Sequence, residues 1–143
     1  MYTIEIDFGT PEYDEAVRLR TDVLRKPLGL EFTPEQLAEE YDQRHLAAYD
    51  ASGRLLGCLS LLASDDAFWK MRQVAVAEAV QGKGVGKILV EASENLARSA
   101  GVHTMVLHAR ETAVPFYQAL GYATVGERFE EVGIPHFKME KVL

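Results

Sequence analysis

The residues best suited to chemistry lie in one glycine-rich turn, residues 81–87, with the sequence Gln-Gly-Lys-Gly-Val-Gly-Lys. Glycine at alternate positions permits positive φ angles and lets a ligand approach the backbone, because no Cβ is in the way. A helical pattern begins here, so its first N–H groups lack intrahelical partners and point outward with the positive end of the helix dipole. Lys83 and Lys87 add positive charge. The turn therefore predicts an anion site suited to a phosphate or pyrophosphate, the alternative being a helix entry with solvated lysines.

Two familiar phosphate-binding motifs do not fit this turn. A P-loop requires glycine where Gln81 stands, and Ser or Thr where Ile88 stands. A dinucleotide-binding fingerprint built on Gly82 and Gly84 requires a third glycine where Lys87 stands. Modules that bind ATP or NAD through these motifs are therefore disfavoured.

Hydrophobic periodicity predicts the elements that position the turn. The chain alternates in the order β-α-α-β-β-β-α-β-α-β-β, without repeats or linkers, which favours one α/β domain over residues 1–143. The first strand, 2–8, carries Tyr2, Ile4, Ile6 and Phe8 on one face and is expected to be half-buried. The turn follows a strand at 68–76 and opens a helix that continues through Ala100.

Composition and charge exclude several classes of protein. The chain has 143 residues and a formal charge of −7, with 22 acids against 15 bases and no basic stripe, so nucleic acid is not expected as a partner. No apolar run approaches the ~20 residues of a membrane span, and the N-terminus lacks signal-peptide features, so we expect a cytoplasmic protein without a membrane partner. Cys58 is expected to be a small buried hydrophobe, and the histidines show no metal-site spacing, so no metal is expected.

A resemblance emerges when the turn is combined with a second segment. Gln81-x-x-Gly84-x-Gly86 follows a strand that contains Val74-Ala75-Val76, and residues 113–122 have the sequence Ala-Val-Pro-Phe-Tyr-Gln-Ala-Leu-Gly-Tyr. Both segments resemble signatures of the GCN5-related N-acetyltransferase (GNAT) superfamily, and the interval between them suits one helix and one strand. Residues 129–136 are also similar to the small bacterial ElaA-like branch.

The resemblance implies a fold. It predicts a mixed, mostly antiparallel sheet of six or seven strands with about four helices. It also implies a splay between the strands at 68–76 and 103–108, where the pantetheine arm of coenzyme A enters.

The resemblance also implies an activity. The chain would be an acetyl-CoA-dependent N-acetyltransferase that moves an acetyl group to a primary amine by direct attack in a ternary complex. The acceptor would be a small molecule or a peptide, and a homodimer stays open. A catalytically silent acyl-CoA-binding or sensor domain of the same fold is the alternative.

Site residues follow from the matched positions. The turn would bind the pyrophosphate of coenzyme A through backbone N–H groups, and the preceding strand would pair with the pantetheine arm. Arg110 stands where the family often has Asn or Gln, and a contact from it to a phosphate or a pantetheine carbonyl is our own inference. Phe116 is typical of a core position and is also included among the cofactor contacts. The residues expected at the cofactor are Val74, Ala75, Val76, Gln81, Gly82, Lys83, Gly84, Val85, Gly86, Lys87, Arg110 and Phe116.

Acetyl transfer needs a proton donor for the departing sulfur and a base for the amine. Tyr117 stands where many family members carry the donor; by residue type alone it would more often be a packing aromatic. The base stays open among several residues. Substrate cues conflict, because arginines of the first helix (Arg18, Arg20, Arg25) suit an acidic acceptor, whereas Glu131 and Asp65-Asp66 suit a cationic one. The candidate bases are Glu31, His108, Glu111, Glu130, Glu131 and His136.

Overall fold

The computed structural model describes residues 1–63 and 66–143. Asp65, one of the acids named for a cationic acceptor, lies outside the described residues. The strands are β1 (Tyr2–Ile6), β2 (Arg44–Tyr49), β3 (Leu55–Leu62), β4 (Trp69–Val76), β5 (Thr104–Arg110), β6 (Ala123–Glu131) and β7 (Ile134–Val142). The helices are α1 (Pro11–Arg20), α2 (Pro34–Ala38), α3 (Val85–Ser99) and α4 (Val114–Ala119).

The strands form one seven-stranded sheet in the order β1-β2-β3-β4-β5-β7-β6. Every neighbouring pair is antiparallel except β4 and β5, which are parallel. The predicted order of elements and the mostly antiparallel sheet with four helices are therefore confirmed.

The first strand is less buried than predicted. Ile6 is buried, but Tyr2 and Ile4 are each 50% exposed and Phe8 lies beyond the strand at 38%. The reason is that β1 is an edge strand paired with β2 alone, so little packs over its outer part.

Helix starts follow the local sequence. Thr10 caps α1 by accepting a hydrogen bond from the Tyr13 N–H, with Pro11 at the first helical position. Thr33 and Gln36 form a reciprocal capping box at α2. Beyond α1 the chain continues through a π-helical turn, Thr21–Arg25, and a short 3₁₀ turn, Lys26–Leu28. The π-helical turn ends at Arg25, which lines the cleft described below.

The sheet has an apolar cluster on each face. Helix α3 contributes Leu89 and Val90 to the larger cluster, and Tyr117 of α4 joins it. Cys58 and Ala75 belong to the smaller cluster, which Ala16 of α1 completes. Cys58 is 3% exposed, which confirms the prediction of a small buried hydrophobe, and burial raises the pKa of its thiol to about 12.

A buried polar network fixes α1 and the segment after α2 against the sheet. The Arg20 guanidinium lies 2.6 Å from the Glu40 carboxylate, and the Tyr13 hydroxyl donates to the other carboxylate oxygen at 2.9 Å. His45 lies 2.9 Å from the Ser60 hydroxyl and 3.1 Å from the backbone carbonyl of Glu40. The Arg20 side chain is therefore buried and paired with Glu40, so it is not available to bind an acceptor.

Candidate active site

The glycine-rich turn forms an open helix N-terminus at the end of β4. The Gln81 side chain donates to the Val76 carbonyl oxygen at 3.1 Å, which ties the turn to the strand. Gly84 precedes α3 with a φ of 86° and provides no side-chain cap, and the first helical hydrogen bond runs from the Ile88 N–H to its carbonyl. The N–H groups of the first helical turn are therefore directed outward, beside the exposed Lys83 and Lys87.

The glycines of the turn have two different roles. Gly82 and Gly84 adopt positive φ angles of 78° and 86°, as expected, but Gly86 does not. A Cβ on Gly86 would lie 3.1 Å from the Phe116 ring, so this glycine makes room for the ring. Phe116 is 39% exposed, so its interpretation as a core residue is wrong. Val85 is buried at 3%, which leaves only its backbone facing the turn.

Strands β4 and β5 are paired over a short segment and then separate. Their register covers three residue pairs, ending at Met71 opposite Leu107, so the rest of β4 is unpaired on this side. The predicted splay between these strands is therefore confirmed. A cleft of about 440 Å³ opens at the splay and is lined by Val74, Ala109 and Tyr117 among others.

A bulge in β4 marks the point of separation. Cys58 of β3 pairs with Ala75 and Ser60 pairs with Arg72, so β4 contains one extra residue in this interval. Gln73 adopts a φ of 55°, which is unusual for a residue with a side chain. The bulge lies within the cleft wall, because Arg72, Gln73 and Val74 all line the cleft.

Tyr117 lies in the cleft wall, held by aromatic neighbours. Its ring meets Phe116 and Tyr122 edge-to-face, with centroids 4.9 Å and 5.8 Å away. The side chain is 7% exposed, and burial raises the pKa of its hydroxyl well above the ordinary tyrosine value. Within residues 1–63 and 66–143 the hydroxyl has no hydrogen-bond partner. Tyr117 is thus a neutral donor at neutral pH, facing a space large enough for a ligand.

Tyr122, the neighbour of Tyr117, is engaged differently. Its hydroxyl donates to the buried Glu94 carboxylate at 2.7 Å, and Lys141 donates to the other oxygen at 3.0 Å. This closed network ties α3 to the last strand, and Tyr122 has no free donor to offer.

Arg110 bridges the cleft to the segment after α1. Its Nη2 donates to the Leu24 carbonyl oxygen at 2.6 Å, and burial lowers its pKa. The side chain also lines the cleft. Arg110 therefore holds the π-helical turn beside the end of β5.

The candidate bases separate into two groups. Glu131, His108 and His136 line the cleft. Glu131 lies 2.9 Å from His108 Nδ1 and 3.6 Å from His136 Nε2. Glu31, Glu111 and Glu130 are exposed and are not among the cleft-lining residues, and Glu111 pairs instead with Arg128 at 2.9 Å.

Electrostatics keep the Glu131 carboxylate ionised. Burial raises its pKa. The hydrogen bond and charge of His108, together with the charges of His136 and Lys70, outweigh burial and place the pKa below the usual range. Because a carboxylate only accepts hydrogen bonds, Nδ1 of His108 carries the proton in this contact. In a neutral imidazole the lone pair is then on Nε2.

Comparisons with known proteins decide the family. The model of the acetyltransferase (GNAT) domain matches residues 19–143. The chain belongs to this family. It is 30% identical over 128 residues to an uncharacterized N-acetyltransferase, YjcF of Bacillus subtilis (strain 168), covering 89% of this chain and 90% of that protein. This GNAT protein is accordingly an N-acetyltransferase.

Solved structures share the fold of this GNAT protein. Escherichia coli ElaA superimposes with a TM-score of 0.79 at 23% identity, covering 98% of both chains. A GNAT family acetyltransferase from Elizabethkingia anophelis with acetyl-CoA bound superimposes with a TM-score of 0.76 at 19% identity, covering 99% of this chain and 97% of that one. Both likenesses show a common fold.

Sequence reasoning missed part of the acetyltransferase's cleft. Lys70, Arg72 and Gln73 line it, and none was among the expected site residues. The alternation of polar residues at 70 and 72 in a strand flanked by apolar ones was a usable signal for the first two. No sequence signal indicated the bulge at Gln73, because glutamine does not favour a positive φ.

The described part of the chain shows neither a metal-binding cluster nor a membrane-spanning helix. Outside positions 64 and 65, no group of three His, Cys, Asp or Glu side chains is arranged to hold a metal ion. Over the same residues, no helix is long and apolar enough to cross a membrane.

Proposed function

We propose that residues 1–143 act as a single domain that transfers the acetyl group of acetyl-CoA to a primary amine by direct attack in a ternary complex. The observation that carries this proposal is the cleft at the β4–β5 splay, which combines an unpaired strand, a neutral tyrosine donor and a histidine–carboxylate pair. The bound acetyl-CoA of the Elizabethkingia anophelis protein, which shares this fold, supports the same ligand here.

The turn and β4 fit coenzyme A. The outward N–H groups of Gly84 to Lys87, with Lys83, would hold the pyrophosphate, and Gln81 keeps the turn on the strand. The edge of β4 that β5 leaves free at Val74, Ala75 and Val76 would pair with the amides of the pantetheine arm. The Ala75 side chain faces the smaller cluster, so this residue contributes backbone only.

Tyr117 is proposed as the donor to sulfur. Acetyl-CoA supplies an acetyl group activated as a thioester, whose cleavage leaves charge on sulfur. The Tyr117 hydroxyl stays protonated because burial raises its pKa, and its proton has no competing acceptor among the described residues.

His108 is proposed as the base. Glu131 fixes Nδ1–H, which leaves Nε2 to accept the proton and stabilises the cation that forms. In the transfer, the amine nitrogen bonds to the acetyl carbon while the C–S bond breaks with its electrons going to sulfur. Tyr117 gives a proton to sulfur and His108 takes one from nitrogen, so the products are an amide and a free thiol.

Coenzyme A release tests the proposed function. Acetyl-CoA and a panel of primary amines are incubated with the protein, and free thiol and acetylated product are both measured. We expect product that depends on the amine. Tight acetyl-CoA binding with no product from any amine would instead support the silent acyl-CoA-binding domain.

Replacement of Gly84 by valine is expected to weaken acetyl-CoA binding about 10- to 100-fold, because a β-branched residue at this φ carries about 1–3 kcal/mol of strain and obstructs the backbone N–H groups. Calorimetric titration measures the effect. Gly53→Val is a matched control, since Gly53 has a φ of 83° and Gly84 one of 86°, and a Cβ on either meets nothing within 4 Å. The melting temperatures of both variants should fall by similar amounts. Equal acetyl-CoA affinity in the two would contradict the assignment of the turn.

A further inference from the structure

The cleft is cationic, in contrast to the acidic protein around it. Arg25, Lys70, Arg72 and Arg110 line it together with one carboxylate, Glu131. The chain as a whole carries a formal charge of −7. Four basic side chains therefore lie together in one cleft of an acidic protein.

The Arg25 side chain lacks the carboxylate partner that several other arginines have. Arg20, Arg44 and Arg128 each pair with a carboxylate within 2.9 Å. The Arg25 guanidinium makes no hydrogen bond or ion pair with the described residues, and its Nε is buried without a partner. Its guanidinium lies 4.4 Å from the centre of the Phe32 ring, which holds it in place without neutralising it.

Arg72 is in the same state. It is half-buried and lines the cleft, and its side chain has no hydrogen bond or ion pair with the residues that the structure describes. Arg25 and Arg72 are close enough to repel each other: burial first, then the charges of Arg110, Arg20 and Arg72, lower the pKa of Arg25, and the opposing charge of Glu131 does not outweigh them. Partly buried guanidinium groups without a hydrogen-bonded carboxylate are unfavourable, and an anion bound by both would relieve this.

The pyrophosphate of coenzyme A is not that anion. Arg72 precedes Val76 by four residues, about 13 Å along an extended strand, and the turn that would hold the pyrophosphate follows Val76. The two arginines therefore lie toward the opposite end of β4 from the turn.

Glu131 does not make the cleft suitable for a cationic acceptor. Both of its oxygens face histidines, His108 at 2.9 Å and His136 at 3.6 Å. Lys70 adds a further cation, 3.5 Å from His108 Nδ1. Among the arginines of the cleft, Arg110 donates to the Leu24 carbonyl oxygen, so Arg25 and Arg72 are the two whose side chains have no partner among the described residues.

We propose that the acceptor amine carries an anionic group, a carboxylate or a phosphate, which Arg25 and Arg72 bind while the amine faces His108. Guanidinium groups match both anions because their planar N–H groups can donate in pairs. This inference rests on the proposed acetyl transfer for the orientation of the amine. The anion site itself stands on the two unpaired arginines.

Matched amines test the proposal. 3-Aminopropionate, its neutral amide and 2-aminoethyl phosphate are compared as acceptors, with longer homologues of each. The anionic members are expected to exceed the neutral amide about 10- to 100-fold in kcat/KM, which is the usual effect of a charge-assisted hydrogen bond. The better of the two anions distinguishes a carboxylate from a phosphate site.

Arg25→Gln and Arg72→Gln should abolish that preference, so that kcat/KM for the anionic amines falls to that of the neutral amide. Arg18→Gln is the matched control, because Arg18 is an exposed arginine of α1 outside the cleft lining. Turnover of the neutral amide also verifies that each variant is folded. Equal turnover of anionic and neutral amines by the wild type would overturn the proposal while leaving acetyl transfer intact.

A binding measurement separates this inference from the proposed function. The anionic amines are titrated by calorimetry into protein saturated with coenzyme A, where no transfer takes place. Binding that weakens about 10- to 100-fold in Arg25→Gln, but not in Arg18→Gln, supports the anion site even if no amine is acetylated. Absence of anion-dependent binding would refute it whatever the turnover.

Discussion

Replacing Tyr117 with phenylalanine is expected to lower kcat and kcat/KM together by about 10²–10⁴, the usual contribution of a positioned acid. Acetyl-CoA affinity should hold within a few-fold, because phenylalanine keeps the ring and its edge-to-face contacts with Phe116 and Tyr122. The hydroxyl that is removed has no partner among the described residues, so its loss leaves no internal group unpaired. Single-turnover kinetics and calorimetric titration measure the two quantities separately.

Tyr122→Phe is the matched control. The two tyrosine rings lie 5.8 Å apart, but the Tyr122 hydroxyl donates to Glu94 at 2.7 Å. Its removal should lower the free energy of unfolding by about 1–3 kcal/mol and leave kcat nearly unchanged. If Tyr117→Phe instead behaves like Tyr122→Phe, Tyr117 is a packing residue and another group serves the sulfur.

Replacing His108 with asparagine is expected to reduce kcat by about 10²–10⁴ as well, because the variant lacks a base at this position. The amide nitrogen of asparagine can still donate to Glu131, now 2.9 Å from Nδ1, so the carboxylate keeps a partner. Acetyl-CoA affinity should not change. The measurement is the rate of acetylation at saturating amine, followed as product.

A histidine outside the cleft provides the comparison for His108. His103 is exposed, precedes β5 and is absent from the cleft lining, so His103→Asn should keep full turnover. The turnover of Glu131→Gln should lie between those of His108→Asn and His103→Asn. Its amide oxygen still accepts Nδ1–H of His108, but without a negative charge it no longer stabilises the imidazolium. Full turnover in His108→Asn would exclude this residue and leave His136 as the remaining cleft histidine.

Much of the fold could be predicted because local signals agreed with the global arrangement. Thr10-Pro11 and Thr33-Pro34 each begin a helix where the capping residues indicated. The turn at 81–87 opens α3 as its glycines suggested. The burial of β1 could not be predicted, because alternation shows that a strand has two faces but not that it lies at the edge of a sheet.

The candidate site could be predicted best where its residues belong to contiguous segments. Gly84 and Tyr117 are candidates from sequence because each lies in such a segment. The pairing of Glu131 with His108 joins residues 23 positions apart, and the pairing of Arg110 with Leu24 joins residues 86 apart. Contacts of this kind depend on how the strands register, which one sequence without pairing information does not specify.

The bulge at Gln73 changes the phase of β4. Before it, Trp69 and Met71 belong to the larger apolar cluster; after it, Val74 and Val76 pack against that cluster and Ala75 faces the other way. Odd positions face the larger cluster in the first half of the strand, and even positions do so in the second. If β4 instead alternated regularly through Gln73, Val74 and Val76 would face the smaller cluster beneath α1, and Ala75 would face the larger one. β4 is in this sense two short strands joined in series: the first carries Arg72, which we propose binds an anionic group of the acceptor, and the second carries the backbone that we propose pairs with coenzyme A.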